Sequence, residues 1–91
     1  MACYVDELRT WGAWRYGASS RLYADTPEEL HNMALRLGLR HEWFQPLPIS
    51  HYDVTTSVRA RAIGFGAYEV TARDMVRMVR MRTVPAEAQG V

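Results

Sequence analysis

Thr26-Pro27-Glu28-Glu29-Leu30-His31-Asn32-Met33-Ala34-Leu35-Arg36-Leu37-Gly38 is the stretch from which the fold is read. Threonine followed by proline, with glutamate three positions after the threonine, is the capping-box pattern. The hydroxyl takes a free N–H of the first turn, and proline occupies a position that needs no N–H. Leu30, Met33, Ala34 and Leu37 then recur at helical spacing, and Gly38 permits the backbone turn that closes a helix. The spacing predicts a helix from Pro27 to Leu37 with one apolar face.

Working outward, Arg21 to Ala24 reads as a short strand and Cys3 to Leu8 as a first, buried one. Thr10 to Ser19 has no clear period; it carries Gly12, Gly17, Trp11, Trp14 and Tyr16 and reads as a loop packed down by aromatic rings. After the helix, His41 to Phe44 reads as a third strand, and Pro46 and Pro48 confine the next segment to an extended loop. His51 to Val54 forms a further strand. Thr55 or Thr56 then caps a second helix whose Val58, Ala62 and Phe65 share a face and which Gly66 ends. Tyr68-Glu69-Val70 is a short strand. Thr71 and Asp74 repeat the cap pattern before a helix lined by Met75, Met78, Val79 and the stem of Arg82. Strands separated by helices predict an α/β class: a small single-domain sandwich with a largely parallel sheet and about three helices. The domain spans residues 1–82, and residues 83–91 read as a flexible tail.

Composition bounds the function classes. With 91 residues, 48% of them hydrophobic and 23% charged, the chain suits one globular core and not a disordered segment. No apolar run reaches the roughly 18 residues of a membrane span, and Met1-Ala2-Cys3-Tyr4-Val5-Asp6 lacks the basic start and apolar stretch of a signal peptide. A cytoplasmic protein with no membrane partner is expected. Cys3, the single cysteine, cannot form an internal disulfide and reads as a buried thiol. A net charge of +1 gives no global attraction to nucleic acid, yet all eleven basic residues are arginine. Arginine suits bidentate phosphate recognition. Its complete replacement of lysine is also what a GC-rich coding sequence produces, and points to an actinobacterial or actinophage source.

His51-Tyr52-Asp53-Val54-Thr55 holds the most chemistry. In an extended segment, side chains two apart share a face, so His51 and Asp53 project together just before a helix start. Thr55-Thr56-Ser57 and Arg59 follow at the helix amino end, where free N–H groups favour anions. With Arg9 at the exit of the first strand they can hold a phosphate, while Trp11, Trp43 or Tyr52 can stack on a nucleobase. No glycine-rich phosphate loop accompanies them, since Gly64-Phe65-Gly66 lies at a helix end. Asp53 can orient His51 as a base, with Asp6 or Glu7 reaching the same pocket, although Ser50 and Ser57 sit in no nucleophile motif. The structural alternative is that Asp53 caps the second helix or stabilises the turn before it while His51 bonds backbone. His31, His41, His51, Asp6, Asp25 and Asp53 are candidate metal ligands, but none stands at a diagnostic metal spacing.

A resemblance adds to this. Tyr4-Val5-Asp6-Glu7-Leu8 with Trp11-Gly12, Ala24-Asp25-Thr26 with Glu29-Leu30-His31, and Leu37-Gly38-Leu39 with Trp43-Phe44-Gln45 form its first blocks. With His51-Tyr52-Asp53, Arg59-Ala60 and Gly66-Ala67 they resemble the uncharacterised family called domain of unknown function 4031, over residues 2 to 71. In that pattern a histidine commonly precedes the second-strand leucine, where this chain has Arg21 before Leu22. The resemblance implies bacterial and phage relatives and no particular activity.

The leading expectation is a domain that binds a phosphate-bearing small molecule or nucleotide at this corner. Asp6, Arg9, Trp11, Tyr52 and Arg59 are its ligand contacts, and His51 with Asp53 the catalytic pair for any hydrolysis. No metal or cofactor is assigned. The alternative is a non-enzymatic, phage-encoded interaction protein that binds a host protein or self-associates through its last helix. There Arg73, Arg77, Arg80 and Arg82 alternate with Met75, Met78, Met81 and Val79. A concave polar pocket at the His51 corner favours the first, and an exposed methionine face the second.

Overall fold

The computed structural model describes residues 2–10, 17–46, 49–78 and 80. Five short strands form one sheet: β1 (Cys3–Val5), β2 (Arg9–Thr10), β3 (Ala18–Ala24), β4 (Tyr52–Thr55) and β5 (Tyr68–Glu69). The helices are α1 (Pro27–Arg36), α2 (Thr56–Gly64) and α3 (72–78).

Local chemistry sets the helix ends. Thr26 Oγ1 accepts the Glu29 N–H at 3.2 Å, and its hydroxyl donates to Glu29 Oε1 at 3.0 Å. Gly38, at φ +78°, brings the Leu39 N–H to the Ala34 carbonyl at 2.9 Å, which closes α1 with a Schellman turn. Thr55 caps α2 by accepting the Val58 N–H at 3.3 Å. For α3, Thr71 and Asp74 form the reciprocal box, and Glu7 Oε1 accepts the Ala72 N–H at 2.9 Å. Glu7 thus serves the positive end of α3 and not the His51 corner.

The sheet is mixed and mostly antiparallel, which corrects the expectation of a largely parallel one. β3 pairs antiparallel with β1, β2 and β4, and β1 pairs parallel with β5. Helical crossovers return a chain parallel to where it started, and that is the basis of the expectation. Here α1 is followed by a second reversal, in which Gln45 and His51 exchange both main-chain hydrogen bonds at 2.9 Å. The extra reversal turns the chain round, so β4 enters antiparallel to β3. α2 then carries it from β4 across to β5.

His41 to Phe44 is not a strand; His41–Trp43 forms a 3-10 turn. The 3-10 period puts residues three apart on one side, so the rings of His41 and Phe44 both meet His31 of α1, at 4.7 and 4.8 Å. A strand would send them to opposite faces. β1 ends earlier than expected, at Val5, and β3 begins earlier, at Ala18; Trp11, Trp14 and Tyr16 lie outside the described residues, as do Pro48, Val79, Met81, Arg82 and the proposed tail.

One sheet face makes the core. Val5, Leu22, Tyr52 and Val54 are buried against Leu30, Met33, Ala34 and Leu37, with Ala62 of α2 and Ala67 completing the cluster. Phe65, placed on the same α2 face by its spacing, instead stays exposed beneath the Arg36 guanidinium, 4.3 Å from the ring centre.

β1 and β2 lie end to end along one side of β3. Val5 faces Leu22 and Arg9 faces Ser19, so four steps on one strand oppose three on the other, and the extra residue is a β-bulge. Asp6 sits at the bulge, 1% exposed. Its Oδ1 accepts the Arg21 N–H at 2.7 Å, the bond that its own carbonyl would otherwise take in the ladder. The freed carbonyl accepts from Ser20 Oγ and Arg59 Nε, both at 2.9 Å. Arg59 Nη1 also bonds Glu69 Oε1 at 3.2 Å, so Asp6 and Arg59 tie β1, β3, α2 and β5 together.

Three substitutions test this account by urea denaturation. Thr26→Ala should lower stability by about 1 kcal/mol through loss of the cap. Asp6→Ala leaves the Arg21 N–H without its acceptor and should lower it by about 1–3 kcal/mol, whereas Asp6→Asn, which keeps an amide oxygen, should recover most of that. Equal losses for Ala and Asn at position 6 would remove the hydrogen-bond explanation.

Candidate functional site: the corner between β4 and α2

The structure divides the expected site residues among three environments. His51 and Asp53 stay together on one face of β4, with His51 Nε2 at 3.6 Å from Asp53 Oδ1. His51 is only 4% exposed. Its Nδ1–H donates to the Ile49 carbonyl, and the Tyr23 ring lies 6.1 Å away. Asp53 is exposed at the edge of the sheet, opposite Arg21 in register, and its Oδ2 accepts from the Gln45 amide.

Tyr52 turns to the other face, because neighbours along a strand alternate. There it packs into the core, with its hydroxyl hydrogen-bonded to His31 Nδ1 at 2.8 Å. Burial pushes its phenol above the usual tyrosine range. The same alternation that joins His51 to Asp53 therefore removes Tyr52 from their side.

Asp6, Arg9 and Arg59 form the third group. Arg9 Nη2 stands 3.9 Å from Asp6 Oδ2, and Arg59 is held by the Asp6 carbonyl and Glu69. Asp6 Oδ2 and the Tyr23 hydroxyl are buried without a hydrogen-bond partner among the described residues. Burial raises the Tyr23 pKa, and Asp6 adds to this against the opposing pull of Arg21 and Arg9. Tyr23 was not anticipated as part of this cluster, since only the register of β3 brings it there. Trp11 lies outside the described residues.

Where β4 runs into α2, a cleft of about 620 Å³ opens. Leu39, Phe44, Val54 and Val58 give it apolar walls. Glu42, Gln45, Asp53 and Thr55 supply polar groups, and Trp43, 51% exposed, stands at the rim. Of the expected site residues that are described, Asp53 and Thr55 line it, as does Trp43, named as a stacking ring. Gln45 and Phe44 went unnamed as site residues; the segment carrying Pro46 and Pro48 reads in the sequence as an extended loop, and only the fold brings Gln45 beside His51.

Elsewhere, Cys3 is half-buried with its Sγ–H directed at the Glu29 carbonyl, 3.7 Å away. Burial raises its pKa, helped by Glu29 and Asp25 against Arg36, so the thiolate is disfavoured. Among the described residues no group of three or more His, Cys, Asp or Glu side chains is placed to hold a metal ion, and no helix is long and apolar enough to cross a membrane.

No curated protein and no solved structure matches this chain. A family model does: the one described as Protein of unknown function (DUF4031) matches residues 3–82, and the chain belongs to that family.

Proposed function

We propose that this domain binds a nucleotide or similar phosphate-bearing small molecule, with the ring in the cleft between β4 and α2. The observation that carries the reading is the cleft itself. A volume of about 620 Å³ with mainly apolar walls and a few polar groups is the form that small-ligand sites take. Trp43 and Phe44 offer ring faces, and every nucleobase has a face to stack.

Charge orients the ligand. Glu42 and Asp53 among the lining residues repel phosphate, so the ring enters and the phosphate stays outside. Thr55 lies on the cleft wall at the amino end of α2, and the exposed Thr56 and Ser57 follow it in the first turn. Their hydroxyls and the helix N–H groups are the contacts proposed for phosphate. Arg59 supports the corner through Asp6 and Glu69 and is not a phosphate contact in this reading. Hydrolysis is no part of it, because His51 is buried and its Nδ1–H is committed to Ile49.

The alternative, self-association or host-protein binding through the last helix, has less support. Met75 is buried and Met78 half-buried, so these two methionines do not form an open face, and Arg73, Arg77 and Arg80 are exposed. The arginine-only basic composition favours an actinobacterial or phage source.

A thermal-shift series with adenosine, guanosine, cytidine and uridine monophosphates tests the proposal. A ligand at about a hundred times its dissociation constant should add about 2.7 kcal/mol of stability. Trp43→Ala should weaken binding by about 1–3 kcal/mol, roughly 5- to 150-fold, through lost stacking. Absence of a shift with all four nucleotides, or unchanged affinity in the Trp43 variant, would overturn it.

A further inference from the structure

The wall of the cleft contains a piece of main chain that no described residue bonds. His51 uses both its N–H and its C=O to bond Gln45, so both point away from β3. Main-chain groups alternate in direction along a strand that has a neighbour on each side. Tyr52 and Val54 therefore point theirs toward Leu22 and Ser20 of β3, and Asp53 points its N–H and C=O outward, into the space that Asp53 itself lines. No described residue bonds either group.

The segment that would have paired with Asp53 is next to it. Continuing the Gln45–His51 ladder would set Trp43 opposite Asp53. Instead His41–Trp43 coils into the 3-10 turn, with the Trp43 N–H bonded to the Arg40 carbonyl at 3.0 Å and the Phe44 N–H to His41 at 3.0 Å. The turn withdraws the partner strand and leaves its aromatic rings lining the gap.

We infer that the Asp53 main chain reads the ligand, and that the ligand carries a hydrogen-bond acceptor beside a donor on one planar edge, as amidine and lactam heterocycles do. This rests on the proposed function and specifies the ligand class. An added peptide strand fits less well. The free edge is one residue long, closed on one side by the Gln45–His51 bridge and on the other by Thr55, the cap of α2. An added strand would pair through one residue, fewer than even the two-residue strands β2 and β5 use here, whereas a single N–H and C=O pair matches a single heterocycle edge. The Asp53 carboxylate is not needed for this reading, being held by Gln45 and His51.

The test compares adenosine monophosphate with its N6,N6-dimethyl form and uridine monophosphate with its N3-methyl form, while amide exchange at Asp53 is followed by NMR. Whichever parent nucleotide binds should lose about tenfold in affinity on methylation, the worth of one good hydrogen bond. The Asp53 amide should exchange at least tenfold more slowly when the parent is bound. Binding that leaves Asp53 exchange unchanged, or equal affinity for the methylated form, overturns this inference and leaves the cleft as the binding site. If cytidine or guanosine monophosphate is the nucleotide that binds, its N4,N4-dimethyl or N1-methyl form takes the place of the methylated comparison, with the same tenfold loss expected. If no nucleotide binds, the proposed function falls and the inference with it.

Discussion

One carboxylate oxygen organises this molecule. Asp6 Oδ1 accepts the Arg21 N–H in place of the residue's own carbonyl, and that exchange ends β1, admits the bulge and frees the carbonyl for Arg59. The consequence is spatial. Arg59 reaches from α2 to the end of β1 and to Glu69 in β5, which holds the helix across the sheet. With the helix held there, its amino end stands beside the open edge of β4. The buried second oxygen faces Arg9 at 3.9 Å without a hydrogen bond, so the carboxyl group is held in its mostly closed setting through its other oxygen.

The candidate site arises from a choice between two local structures. His41 to Phe44 has the composition of a strand, and as a strand it would have covered the edge of β4. Contact with His31 favours the 3-10 turn, because only that spacing brings the rings of His41 and Phe44 to the same side. The cleft follows from this packing, with aromatic side chains where a main-chain partner would have been. A site of this kind is built from an absence of pairing and not from a concentration of charged residues. That is why the His51 corner attracts attention in the sequence while the walls of the cleft do not.

His51 and Asp53 show how one rule can be right and incomplete. Side chains two apart on a strand share a face, and these two do lie 3.6 Å apart. Burial then decides what the pair can do. His51 lies beneath the sheet surface with its Nδ1–H given to Ile49, a positioning arrangement for the turn that feeds β4. The alternative weighed from sequence, in which His51 bonds backbone, describes this imidazole; its companion, a helix cap by Asp53, does not, since Thr55 fills that role.

The sequence by itself determined the elements whose cause is local. Thr26 with Glu29, Thr55, Thr71 with Asp74, Gly38 and Gly66 act on main-chain groups a few residues away, so their effects are legible without knowing the fold. Apolar spacing likewise identified Leu30, Met33, Ala34 and Leu37 as a buried face. Strand direction, the bulge at Asp6, the place of Arg59 and the cleft were decided only in three dimensions. Each depends on which segment lies alongside which, and a hydrogen bond between residues 6 and 21 or 6 and 59 leaves no periodic trace in either segment. The reversal at Gln45 and His51 shows the difference most plainly: two prolines announced an extended loop, but that the chain reverses there, and that the strand beyond it runs against β3, was settled by main-chain bonds between segments.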